Sequence, residues 1–252
     1  MQRIVCWFSC GAASAVATKL VIEREREREA AGLVQVIVVR NIVREEHPDN
    51  DRFARDCEKW FGRPITNTIN EKYDGSIYKV FEAKKYIAGI AGAPCTLELK
   101  KEVRRRFQLP NDIHVFGFTA EEEHRAERMM DNNNDMRLIH ILIDKGLTHS
   151  DCLAIITQQG IELPMMYRLG YKTANCIGCV KGGAGYWNKI RQDFPIAFHR
   201  MADLEVKFGA RLTKHNGERV FLKDLPPDAG AYQEEPEIQC GIFCETALRE
   251  IS

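Results

Sequence analysis

Five of the chain's nine cysteines stand in turn-like settings where a thiol can bind or react. Cys176 and Cys179 enclose Ile177-Gly178, and a two-residue spacer containing glycine lets the backbone fold back so that both thiolates face one metal. The same spacing also suits a redox dithiol. Zinc accepts three or four thiolates, and Cys95, after Ala93-Pro94 at the start of a basic helix, is a natural third ligand because a helix N-terminus favours a thiolate. Cys240 and Cys244 follow a Pro- and Glu-rich stretch, 226–237, whose composition is that of a mobile connector. Lys100 lies about one turn beyond Cys95 and could hold an anion. Cys6, Cys57 and Cys152 fall in apolar-periodic segments and read as packing residues.

Positioning those groups requires a scaffold, and alternating apolar runs and amphipathic stretches predict one. Strands are expected near 3–8, 33–39, 65–69, 113–118 and 138–142, with helices near 14–31, 50–61, 75–87, 96–107, 121–132 and 150–159. The order βαβαβ predicts an α/β fold with an open, mainly parallel Rossmann-like sheet, helices on both faces and a C-terminal cysteine-containing tail. Residues 1–210 would form the nucleotide-binding domain and 211–252 the tail. The first strand runs into Ser9-Cys10-Gly11-Ala12-Ala13-Ser14, a small-residue loop opening a helix, where backbone N–H groups can cradle a phosphate. Arg40 and His47 follow the second strand, and Thr119 and Glu122 the fourth. Ligands in such sheets bind beyond the carboxyl ends of the strands, so these residues are the expected nucleotide-binding set. The alternating run Glu23 to Glu29 reads as a solvated helix face.

These segments together resemble the PP-loop adenine-nucleotide superfamily, and most closely its phosphoadenosine phosphosulfate (PAPS) reductase-like family. The family loop reads Ser-Gly-Gly-x-Asp-Ser; here Cys10 replaces a glycine and Ala13 the aspartate. Gly117-Phe118-Thr119-Ala120-Glu121-Glu122 is similar to its Gly-x-Arg-x-x-Glu-Ser segment, with Thr119 for arginine, and Gln239-Cys240-Gly241-Ile242-Phe243 to its Glu-Cys-Gly-x-His tail, with Phe243 for histidine. The resemblance implies that Cys240 is a nucleophile that attacks the sulfur of a sulfonucleotide, with a thioredoxin-like thiol donor completing reduction to sulfite. It also implies a four-iron four-sulfur cluster held by Cys95, Cys176 and Cys179, with the fourth iron ligated by Cys244 or Cys240 or left open to bind a sulfur atom. Family members carry a double cysteine where this chain has Cys95 alone.

Zero formal net charge, from 36 basic and 36 acidic residues, gives no long-range attraction to nucleic acid or membrane, so a nucleic-acid partner would need a local patch such as Lys189, Arg191 and Arg200 beside Tyr186 and Trp187. No signal-peptide pattern or long apolar run is present, and a cytoplasmic location is expected. Three functions follow. The first is a sulfonucleotide reductase acting on PAPS or adenosine phosphosulfate (APS). The second is an ATP-dependent sulfurtransferase modifying DNA or tRNA through its cluster. The third is a non-catalytic nucleotide or cluster-binding module. The substitutions at Ala13 and Thr119 favour an already activated nucleotide over ATP adenylation, and the Cys240 segment favours the first.

Overall fold

The computed structural model describes residues 1–89, 92–133 and 136–238. Cys240 and Cys244 lie outside them. The chain divides into two units: residues 1–42, 48–68 and 105–174 make unit 1, and 43–47, 69–104 and 175–252 make unit 2. This division differs from a boundary at residue 210, because both units are assembled from separated stretches. No helix among the described residues is long and apolar enough to cross a membrane.

Unit 1 is built on five parallel strands in the order β3-β2-β1-β4-β5. They are β1 (Gln2–Trp7), β2 (Val34–Asn41), β3 (Ile65–Thr68), β4 (Ile113–Val115) and β5 (Arg137–Ile139). A strand flanked on both sides must be apolar on both faces, and Ile4, Val5, Cys6, Val38 and Val39 are accordingly buried in register, with Ile4 opposite Val36 and Trp7 opposite Val39. The helices are α1 (Ala12–Ala30), α2 (Asp49–Phe61), α6 (Glu123–Asn132), α7 (Ile141–Asp144), α8 (His149–Gln158) and α9 (Met165–Arg168). α1 packs against α8 and α7, and its Ala15, Val16 and Val21 join Phe8, Phe53, Phe61 and Ile156 in the core. The chain winds outward from β1 to β3 and then returns to β4 on the other side of β1. That reversal puts the topological switch point at the carboxyl ends of β1 and β4.

Three local expectations change. The strand expected near 138–142 ends at Ile139 and the chain enters α7 two residues later, because an unbroken apolar run carries no periodicity to separate strand from helix. The helix expected over 96–107 is a composite: α4 (Pro94–Thr96), a π-helical turn (Leu97–Lys101) and α5 (Glu102–Phe107). The charged run of α1 is not wholly solvated, since Glu25 is buried between Arg24 and Arg28, and Glu29 receives the Arg63 guanidinium and the Val36 N–H.

Unit 2 contains α3 (Ile77–Lys84), α4, α10 (Ala184–Asp193), α11 (Pro195–Phe208) and the antiparallel hairpin of β6 (Thr213–His215) and β7 (Glu218–Val220). Trp187, Ile190, Phe198 and Met201 are buried where α10 packs on α11. Glu205 is fully buried, and its carboxylate accepts the N–H groups of Leu212 (2.6 Å) and Leu222 (2.5 Å), pinning the chain on either side of the hairpin.

Candidate functional site

At the switch point β1 ends, and the chain passes through Ser9, Cys10 and Gly11 into α1. Cys10 has φ +56°, in the left-handed region that disfavours a side chain, at the position where the resembled family has glycine. Its side chain is buried, and the thiol donates to the Asn50 carbonyl at 3.6 Å. Ser14 closes the loop: its Oγ accepts from the Ser9 N–H (3.1 Å) and the Ser9 hydroxyl (3.1 Å) and donates to the Gly11 carbonyl (2.9 Å). Gly117, just beyond β4, lies against the first turn of α1, where an added Cβ would stand 2.5 Å from the Ser14 nitrogen and 2.8 Å from the Ala13 carbonyl carbon. The loop therefore presents the start of a 19-residue helix, whose first N–H groups lack intrahelical acceptors, with little side-chain bulk from Gly11, Ala12 and Ala13.

One residue that sequence reasoning missed stands over this loop. The Tyr167 hydroxyl lies 3.4 Å from the Ala12 N–H and its ring 5.8 Å from that of His149. α9, which carries it, is clamped to α2: Asp49 accepts two bonds from Arg52 (2.8 and 2.9 Å) and one from the Met165 N–H (2.8 Å), while Arg52 also donates to the carbonyls of Glu162 and Leu163. The Arg52 bonds hold the Asp49 carboxyl down at about 2. A tyrosine far along the chain carries no local signal that it will meet the loop.

The other expected nucleotide-binding residues in unit 1 have visible structural partners. Arg40 follows Val39, whose carbonyl accepts the Phe8 N–H, so it stands beside the loop in register; its guanidinium is nearly buried and pairs with Asp51 at 2.7 Å. Thr119 and Glu122 form a reciprocal capping box, with the Thr119 N–H donating to Glu122 at 3.3 Å, and Glu122 also pairs with Arg125.

His47, Cys95, Lys100, Cys176 and Cys179 all belong to unit 2. The His47 ring stands 6.0 Å from that of Phe194. Cys95 is half-buried in α4, which packs against α3, and Lys100 lies in the π-helical turn. The segment around Cys176 and Cys179, irregular in backbone, is pinned. Both cysteines are buried, the Ile177 N–H donates to the Glu45 carbonyl (2.8 Å), and the Tyr186 hydroxyl donates to the Cys176 carbonyl (3.1 Å) and accepts the Cys179 N–H (2.9 Å). Tyr78 on α3 is within electrostatic reach of Cys176; burial pushes its phenol up to about 12, against the opposing pull of Arg200, which lies 3.6 Å over its ring.

The connector reading of 226–237 is corrected in the same way. Asn188 donates to the carbonyls of Pro226 and Ala229, Arg191 to those of Leu222 and Leu225, and Asn175 to that of Ile238. Nor do Tyr186 and Trp187 form a stacking surface for a nucleic-acid strand, because both are buried, and Lys189 is paired with Asp193.

The turn bears two buried thiols, the number that makes half of a four-thiolate site. Among the described residues no group of three or more His, Cys, Asp and Glu side chains could hold a metal, and Cys240 and Cys244 are outside them. Cys6 and Cys152 are buried thiols pushed up to about 12 by desolvation, and burial raises Cys57 in the same direction, so none of the three favours a thiolate. No protein-family model matches the chain, and no curated protein matches it.

Proposed function

We propose that the chain binds an adenine nucleotide at the Ser9–Ser14 loop and carries out thiol-dependent sulfur chemistry of the PAPS reductase-like kind. The observation that carries this reading is the loop's geometry. A left-handed residue at position 10 and the close approach of Gly117 set the N-terminal turn of α1 at the switch point of a parallel sheet. Such a turn favours an anion by about 0.3–1 kcal/mol through the helix dipole, and backbone N–H donors survive the Cys10 and Ala13 replacements. Tyr167 places its hydroxyl at the same turn, against the Ala12 N–H. An already activated sulfonucleotide needs binding and orientation here rather than a carboxylate for adenylation, which agrees with Ala13.

In the proposed reaction the Cys240 thiolate attacks the sulfonyl sulfur. An S–S bond forms, the S–O bond to the phosphate breaks, and the nucleoside phosphate leaves with the electron pair. A thioredoxin-like dithiol then attacks the Cys240 sulfur, releasing sulfite and becoming oxidised to a disulfide as Cys240 is regenerated as a thiol. Cys176 and Cys179 would give two thiolates to an iron–sulfur cluster or zinc, with Cys95 and the C-terminal cysteines as the further candidate ligands. Lys100, in the π-helical turn after Cys95, would be a cation for an anion bound in its own unit.

The test is calorimetric titration of the reduced protein with PAPS, APS and ATP, followed by a sulfite-release assay with thioredoxin. Binding of a sulfonucleotide with sulfite release that is lost in Cys240→Ser but with binding retained is the expected result. Tight ATP binding with pyrophosphate release on adding tRNA or DNA would replace this reading with sulfur transfer, the reading that a thiol pair tied in a fixed turn also suits. Binding without turnover would leave a nucleotide-binding module.

A further inference from the structure

The Cys176–Cys179 turn is organised around one oxygen. By donating to the Cys176 carbonyl and accepting the Cys179 N–H, the Tyr186 hydroxyl joins both ends of the turn. The Gly182 N–H bonds to the Cys179 carbonyl at 3.0 Å, and a Cβ at Gly182 would overlap the Tyr186 ring, so glycine is needed for the ring to reach back. The turn lies outside any helix, unlike a dithiol placed at a helix N-terminus to stabilise a thiolate for exchange.

Tyr186 is itself fixed by the C-terminal segment. The Glu235 carboxylate accepts the N–H groups of Gly185 (2.6 Å) and Tyr186 (3.1 Å), two first-turn donors of α10. The Tyr232 ring stands 6.0 Å from the Tyr186 ring. Asn188 holds the carbonyls of Pro226 and Ala229, each at 2.8 Å, and Asn175, next to Cys176, holds that of Ile238 at 2.8 Å. Residues 226–238 thus run as a strap along α10, beginning at Asn188 and ending beside the cysteine turn.

Resting on the reading of Cys176 and Cys179 as thiolate ligands, we propose that this strap sets the shape of their turn, with Glu235 as its latch and Tyr186 as the side chain that transmits it. Both are positioning residues: Glu235 fixes the first turn of α10, α10 presents the phenol, and the phenol fixes the two cysteine backbones. Partners that orient metal ligands from outside the ligand set typically change affinity by about 10–100-fold when removed.

The experiment uses the full chain, reduced and free of oxygen, with cobalt(II) as the probe. Wild type, Cys176→Ser, Tyr186→Phe, Glu235→Gln and Glu235→Asp are compared by the near-ultraviolet thiolate-to-cobalt absorption and by amide hydrogen exchange at Cys179. The proposal expects a band lost in Cys176→Ser, cobalt affinity about tenfold weaker in Tyr186→Phe and Glu235→Gln with a shifted visible spectrum, and partial recovery in Glu235→Asp. It also expects the Cys179 amide to exchange about fivefold faster or more in the first two. Unchanged affinity, spectrum and exchange in both would overturn it. A wild type with no thiolate band would overturn the metal reading alone, and the Cys179 exchange rate would still decide the strap. Should Tyr186→Phe not fold, the two Glu235 variants carry the test, since that carboxylate bonds the first turn of α10.

Discussion

The Ser9–Ser14 loop and the Cys176–Cys179 turn are both short, small-residue segments, but they are held differently. The loop is closed mainly from within through Ser14, five residues from Ser9, with Gly117 leaving room for the first turn of α1 and single bonds reaching Asn50 and Tyr167. The cysteine turn is tied by groups remote from it: the Glu45 carbonyl, the Tyr186 hydroxyl and, behind Tyr186, the Glu235 carboxylate. A loop built from backbone conformation should fail when bulk is added. A turn built from side-chain bonds should fail when a partner is removed.

The sharpest way to break the first half of that contrast is Gly117→Ala. The new methyl meets backbone of α1, which cannot turn aside as a side chain would, so unfolding by urea should show a loss of about 3 kcal/mol, the upper end of overpacking costs. A loss under about 0.5 kcal/mol would mean that the loop and β4 separate easily.

Removal of a partner in unit 2 is tested with Glu205→Gln. The amide can serve only one of the Leu212 and Leu222 N–H groups and turns a donor toward the other, a change worth about 2 kcal/mol. Burial is the main cause of the raised Glu205 value, opposed by those two N–H bonds. The folded state therefore binds this proton more tightly than the unfolded state, and that contribution, complete below the ordinary carboxylate value, is lost as pH rises through the raised one. Thermal unfolding of wild type should carry this decline, and the variant should lack it.

Asp49→Asn probes the clamp beneath Tyr167, with the opposite sign. Its lowered carboxyl stabilises the fold above the ordinary value near 3.8, and that stability disappears as pH falls toward about 2. Discounted for partial exposure, the expected loss at neutral pH is about 1–2 kcal/mol, vanishing in acid, as measured by chemical unfolding across that window. An equal loss at every pH would show that packing rather than charge holds α9.

The smallest effect concerns Cys10. Glycine would relieve the left-handed backbone but remove a buried side chain, two changes of about 1 kcal/mol that nearly cancel, whereas Cys10→Ala would retain the strain and lose the packing. Cys10→Ala should therefore be less stable than Cys10→Gly by about 1 kcal/mol in urea unfolding; the reverse order would show that the loop adjusts its backbone.

Much of the scaffold was legible because its signals are local. The buried run of β2, the apolar strand before Ser9 and the periodicity of α2 each report on a few neighbouring residues. The failures occurred where periodicity is mute, as at β5 and α7, or where composition suggested mobility, as in 226–237, which side chains of α10, and Asn175 just beyond its end, hold down. The candidate site was legible in the same uneven way. Position 10 showed as a departure from glycine, while its left-handed backbone and the hydroxyl of Tyr167 opposite Ala12 did not.

The sequence by itself determined the strand order of chemistry along the chain: a small-residue loop after the first strand, a paired-cysteine turn after the last core helix, and the parallel α/β class that joins them. Those properties depend on residue size, spacing and backbone preference within a turn or two. The tertiary structure alone decided which distant groups complete them, because Tyr186 and Glu235 act through single hydrogen bonds whose partners are chosen by the packing of α10 and the strap. Burial of Glu205, ionisation of Asp49 and the placement of Tyr167 follow from the same rule. A hydrogen bond needs an approach near 3 Å, and only the folded chain brings residues remote in sequence that close.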